Sequence, residues 1–463
     1  MFLKIYFPRF RQYYAAISVS FGMFITGLVI GWTGNNTDTL LAGKYNNITI
    51  TDKDLGWITS IPTLAPIIFL FPVGLLCDVV GRKPTLLFVS VCGTVGWILI
   101  AFAKSSTLLF VGRFVTGIGS GSYLFLIPIY SVEIAEKDIR AKLGSFGSLL
   151  SQCGILFSFV MAYVVEMKLL TIVCATISAV YLIGLLFQDE SPTFKIKKND
   201  VYSAKKILLR LRKESYDVDA EINEIKDNLI HESKRNIKEA LSKRSSRIAT
   251  VISCTMNCFQ HLGGTTVLIL YANDIFSSAQ AFLNPKHASI IVGVLQVLAA
   301  MIASTIIEFF RRRVLLITSF FLTSIGLIIL GIYFTLKDRG LTSDELSSTL
   351  GFMPLLGFTI FTLMDAVGIS PVLNILSAEL YPVEIKGMAT SILSVHSWIM
   401  VFLVSQLYGD LKSAVGSDVT FYIFAGVCFL GSVFSYLTVP ETKNKSLKQI
   451  QFELNNKQSL DNS

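Results

Sequence analysis

Apolar runs of roughly 20 residues recur twelve times along the chain, separated by short polar and charged joints, which is the pattern of helices that cross a membrane. The predicted spans are 13–33, 55–77, 86–103, 106–130, 143–165, 169–187, 248–271, 287–310, 314–335, 350–374, 388–411 and 418–439. Residues 188–247 break the pattern. They are basic and polar, with Ile207, Leu208, Leu211, Ile222, Ile225 and Leu229 at spacings that give short amphipathic helices an apolar face. The predicted fold is therefore an all-α membrane protein of twelve transmembrane helices in two halves, 1–187 and 248–439. A helical linker, 188–247, joins the halves, and a polar tail, 440–463, follows them.

The charged joints repeat in order. Asp78 closes one apolar run and Gly81, Arg82 and Lys83 open the next; Glu308 and Arg311, Arg312, Arg313 do the same in the second half. Glu133 precedes Arg140 by the spacing at which Glu379 precedes Lys386. Asp189-Glu190-Ser191-Pro192 ends the first half, and Pro440-Glu441-Thr442-Lys443 ends the second. Three signatures occurring twice in one order predict an internal repeat related by an axis along the membrane normal.

Taken together, these motifs with Gly112-Arg113, Tyr130 and Glu379-Leu-Tyr-Pro382 resemble the sugar porter family of the major facilitator superfamily, and within it the insect facilitated trehalose transporters. The resemblance implies the major facilitator fold and alternating access without covalent chemistry. It also implies a cytoplasmic gate built from Asp78, Arg82, Glu133, Arg140, Glu190, Glu308, Arg312, Glu379, Lys386 and Glu441. Gln152 matches a sugar-contacting glutamine of the family. The stretch Gln260-His261-Leu262-Gly263-Gly264-Thr265-Thr266 resembles the family's Q-Q-L-S-G-I-N, with His261, Gly263 and Thr266 as departures. Gln296 stands for an expected Asn, and Ser370-Pro371-Val372-Leu373-Asn374 for the usual G-P-I-P-W, so Asn374 replaces a stacking Trp while Trp398 retains another. The expected substrate site is thus Gln152, Gln260, His261, Thr266, Gln296, Asp365, Asn374 and Trp398.

Asp365 is singled out because a carboxylate within an apolar span is costly unless it pairs, protonates or meets water. It suits a hydroxyl acceptor or a proton-coupling group. Thr33 pulls the other way, since it occupies the place where proton-coupled relatives tend to carry an Asp. Arg113, near the outer end of its span, either snorkels or serves transport; the sequence leaves both open.

With 52% hydrophobic and 16% charged residues and a mean hydropathy of +0.61, the soluble classes are excluded. The formal charge of +8 does not point to nucleic acid. With both termini cytoplasmic, roughly 31 of the 40 Lys and Arg lie on that side and about 8 outside, as the positive-inside bias requires. The seven cysteines lie in or at the ends of spans and are expected as packing residues. Cys254, Cys258 and His261 share a helix face, but no second ligand group is evident, and no metal or cofactor is expected. No nucleophile–base pair or phosphate loop suggests an enzyme. Asn35 and Asn47 head glycosylation triplets in the predicted first outside loop. The expected protein is a multi-pass plasma-membrane transporter that moves a sugar, trehalose or hexose, passively. Its partners are that sugar and the lipid bilayer. Proton-coupled passage of another polyol and non-transporting sugar sensing are the alternatives.

Overall fold

A computed structural model describes residues 10–34, 36–212, 216–233, 243–279, 284–338, 350–382, 385–445 and 447–456. Ten helices among them are long and apolar enough to cross a membrane. The first six spans are Phe10–Gly34, Asp52–Val79, Arg82–Ala101, Ser106–Ile134, Arg140–Val164 and Met167–Leu186. The eighth and ninth are Pro285–Phe309 and Arg312–Asp338. The helical run Lys386–Thr438 holds the eleventh and twelfth, because Gly416 breaks it with φ 87°, a conformation that a side chain resists.

Two predicted spans are interrupted. The seventh runs over Arg244–Leu262, stops at Gly263 and Gly264, and resumes as Thr265–Leu270. Its first segment carries too many polar residues to pass as a membrane helix by hydropathy, so it is the twelfth crossing beyond the ten helices and the doubled one. The tenth is Met353–Met364, a π turn Asp365–Ile369, then Ser370–Glu379. A π turn packs one extra residue into a helix and re-aims the side chains around it.

Each half closes on itself. The first and fifth spans approach backbone to backbone: a Cβ on Gly27 would stand 2.1 Å from the Ser151 carbonyl oxygen, and one on Gly154 2.1 Å from that of Phe24. Small residues permit the contact, which in lipid must come from packing rather than from hydrophobic burial. Between the halves, helices Pro192–Lys197, Val201–Leu211 and Val218–Ser233 form the expected linker. Asp200 caps the second of them through the Ser203 N–H, and bonds from the Ser203 hydroxyl and then that N–H hold its carboxyl below the ordinary range. Ile207 and Leu211 enter the core of the first half, while Leu208 packs with Val218 and Ile222 in a small core of the linker's own. The Arg212 guanidinium bonds Glu221 and the Ile134 carbonyl, and Gln12 donates to the Leu211 carbonyl and to Glu136.

The halves meet at the end opposite the charged joints. There Asn273 and Ser277 donate to the Asp38 carboxylate at 2.6 and 3.1 Å, Ser60 donates to Gln406 at 2.5 Å, and the Lys286 ammonium reaches the Ala162 carbonyl at 2.8 Å. Tyr271 of the second half also bonds Thr59 of the first, so the cross-half bonds described here gather at this end. The loop before the second span is fixed nearby by Tyr45, whose hydroxyl donates to the Ile100 carbonyl. Burial pushes that hydroxyl's pKa up to about 12.

Candidate functional site

A cavity of about 640 Å³ lies between the halves, within the range for small-molecule sites. Its two walls differ. The first half contributes Met23, Ile30, Leu124, Ile127 and Ile155, serines at the margin, and one amide, Gln152. From the second half come apolar Ile269, Leu373, Leu376, Leu393 and Val401, and with them most of the polar groups: Asn257, Gln260, His261, Thr265, Asp365, Ser370, Asn374, Ser397 and Trp398.

The polar wall is a connected relay. The Gln260 amide donates to Ser370 Oγ at 2.8 Å, and Ser370 donates to Asp365 Oδ2 at 2.9 Å. Thr265 bonds the Gln260 carbonyl, closing the break in the seventh span. His261 Nε2 pairs with Ser397 Oγ at 2.7 Å. Six buried atoms of lining residues keep no partner: Gln152 Oε1, His261 Nδ1, Asp365 Oδ1 and the hydroxyls of Ser20, Ser131 and Ser253. An unmet buried polar atom costs about 1–3 kcal/mol, so these atoms are where the hydroxyls of an entering solute gain most.

Six of the eight expected substrate residues line this cavity: Gln152, Gln260, His261, Asp365, Asn374 and Trp398. Two stand elsewhere. Thr266 lies off the lining because the Gly263–Gly264 break resets the helix and turns Thr265 inward instead. Gln296 is buried in the eighth span, which gives the cavity no lining residue. Asn257 and Ser397 were not anticipated. The signal was present, since Asn257 lies three residues before Gln260 and Ser397 one before Trp398, on cavity-facing turns.

Arg113 does not snorkel. It is almost wholly buried and donates to the Ile58 carbonyl (3.0 Å), the Val29 carbonyl (2.9 Å) and Thr33 Oγ1 (2.7 Å), with its guanidinium 5.1 Å from the Trp32 ring. It ties the first, second and fourth spans together.

At the charged end the repeated motifs do repeated work. Glu190 accepts from the backbone N–H of Arg82, Lys83 and Ser191; Glu441 accepts from those of Arg312, Arg313, Thr442 and Lys443. Each carboxylate caps the first turn of a span, where the helix dipole and free N–H groups favour an anion. The side chains then diverge. Arg82 grips Glu133 through two nitrogens, at 2.8 to 3.1 Å, and reaches Asp78 at 3.4 Å; Ser191 also bonds Glu133. In the second half Arg312 Nε and Glu379 Oε2 are both buried without partners, and Lys386 is exposed. The side chains of Arg140 and Glu308, and residue Asn35, lie outside the described residues. Asn47 is exposed in its loop.

A twelve-helix bundle of two halves that enclose a polar-walled cavity is a solute transporter of the major facilitator fold. The chain belongs to the family described as Sugar (and other) transporter, which matches residues 13–454. It is 31% identical over 96% of its length to a facilitated trehalose transporter of Culex quinquefasciatus, covering 85% of that protein. A counterpart in Anopheles gambiae is 29% identical over 97% of the chain, which spans 57% of it. The fold matches the inward-open E. coli xylose transporter XylE with a TM-score of 0.79 at 21% identity, covering 95% of this chain and 99% of that one. The protein is accordingly a membrane transporter and not an enzyme.

Proposed function

We propose that the protein carries a sugar, trehalose or a hexose, down its gradient across the plasma membrane by alternating access, with the charged end and both termini in the cytoplasm. The observation that supports this most is the relay of amide, hydroxyl and carboxylate groups on one wall of the cavity, with six buried atoms of its lining awaiting partners. Trehalose is favoured by the relatives' names, and the cavity has room for a disaccharide. The described hydrogen bonds between the halves gather at the far end, which supports a site open toward the charged end, the inward-facing member of the cycle. The within-half ties of Arg82, Glu133, Glu190, Arg312 and Glu441 are then the released form of the gate, and the unpaired Arg312 Nε and Glu379 Oε2 are free to re-engage when it shuts. Residues 1–187 and 248–439 act as the two moving bodies, and exposed Asn47 is accessible for a glycan.

Passive transport is favoured because Arg113 is bonded to the Thr33 hydroxyl, which has no proton to exchange in the physiological range. Asp365, with one free oxygen in the cavity, supports a second reading, proton coupling. Uptake of labelled trehalose and glucose by cells expressing the chain tests both. The expected result is saturable uptake that survives a protonophore and is at least tenfold weaker in affinity for Asp365→Asn. Protonophore-sensitive uptake, lost with Asp365→Asn, would select the second reading. Failure of both sugars to enter despite surface expression would overturn the sugar assignment.

A further inference from the structure

Beside the cavity, where the seventh span packs on the eleventh, three soft donors converge. Cys258 Sγ lies 3.5 Å from His396 Nε2 and 3.8 Å from Met400 Sδ. Cys258 belongs to one helix; His396 and Met400 are four residues apart on the other and therefore share a face. We propose that Cys258, His396 and Met400 form a binding site for a soft monovalent cation, copper(I) in chemical class.

Both distances from Cys258 fit one shared ion. Metal–sulfur and metal–nitrogen bonds of about 2.3 and 2.0 Å, at angles between tetrahedral and trigonal, set donors roughly 3.5 to 4.0 Å apart. The histidine is also oriented for the role. His396 Nδ1 lies 3.1 Å from Asn257 Oδ1, an atom that only accepts, so Nδ1 carries the proton and Nε2 presents its lone pair toward Cys258. Ligating histidines commonly hold such a partner on the second nitrogen, and it fixes both tautomer and ring angle. The donor set selects the ion. No three His, Cys, Asp or Glu side chains gather among the described residues, so a divalent cation lacks the ligands it prefers. A thiolate and a thioether with one imidazole are the donors for copper(I). On binding, a metal–sulfur bond forms and the Cys258 thiol releases its proton to water.

His261, on the same helix as Cys258, is turned instead to Ser397 and the sugar cavity. The site nevertheless borders that cavity, since Asn257 both lines it and orients His396.

The test uses the purified full-length chain in detergent under anaerobic, reducing conditions, with copper(I) supplied as its coloured bicinchoninate complex. The expected result is that the protein withdraws one copper(I) per chain, that Cys258→Ser abolishes the withdrawal, and that His396→Gln and Met400→Leu each weaken it about 10- to 100-fold. A hundredfold excess of zinc(II) is expected to leave the copper in place. Wild-type competition by both His396→Gln and Met400→Leu would reduce the site to a bare thiol and overturn the proposal, as would displacement by zinc or no withdrawal at all. The readout needs no transport, so it stands apart from the sugar assignment.

Discussion

Arg113 shows what one side chain contributes inside a bundle that lipid surrounds. Its fork serves two backbone carbonyls and a hydroxyl on two neighbouring spans, a geometry that a single ammonium cannot reproduce. Arg113→Lys is expected to keep the charge, lose at least one of these bonds and cost about 1–3 kcal/mol, read as a lower unfolding temperature in detergent. An unchanged temperature would deny Arg113 its bracing role. The sequence placed this residue near a span end and could not choose between lipid and protein as its surroundings. Depth is not written in a linear pattern, because the carbonyls of Val29 and Ile58 that receive the guanidinium belong to spans distant in the chain. Asp365 was more legible, since an acid in an apolar run announces a cost that something must offset.

At the scale of elements, the spacing of apolar runs located the spans within about five residues, because a bilayer imposes length and apolarity on a crossing; the seventh, with its polar first segment, is the least apolar of them. That spacing did not reveal the break at Gly263 and Gly264 or the π turn at Asp365, which depend on local backbone geometry. The break decides that Thr265 rather than Thr266 meets the cavity. The caps were legible as motifs but not as caps. Glu441→Ala removes the acceptor of four N–H groups and is expected to cost about 1–2 kcal/mol, with Glu441→Gln milder because an amide oxygen still accepts. Equal unfolding temperatures for wild type and Glu441→Ala would show that water replaces the cap at no loss. Gly27→Val drives a branched side chain into the Ser151 carbonyl, and the expected outcome is loss of folded protein on detergent size exclusion.

For the whole molecule, the contact that matters is the one joining the halves. Asp38 accepts from Asn273 and Ser277 across the interface, and the bonds exist only while the far end is closed. Asp38→Ala strips them and strands the buried Asn273 amide, which shifts the balance of states by about 1–3 kcal/mol, roughly tenfold or more in population. Distances between spin labels on the two halves at the far end are expected to gain a longer component; an unaltered distribution would remove Asp38 from the latch. The linker's described bonds with the transmembrane halves run to the first half, so it moves with that half during any such rocking.

The doubled caps also bear on inherited variation. Glu190 and Glu441 perform one task in two places, as do the backbone amides of residues 82 and 312 that they bind. A damaging allele found at either position is therefore informative about its twin, and a survey of harm across one half can be read onto the other. The reading fails where the halves have parted ways. Glu133 is clasped by Arg82 while Glu379 keeps an unmet oxygen, so those two positions belong to different diagnoses.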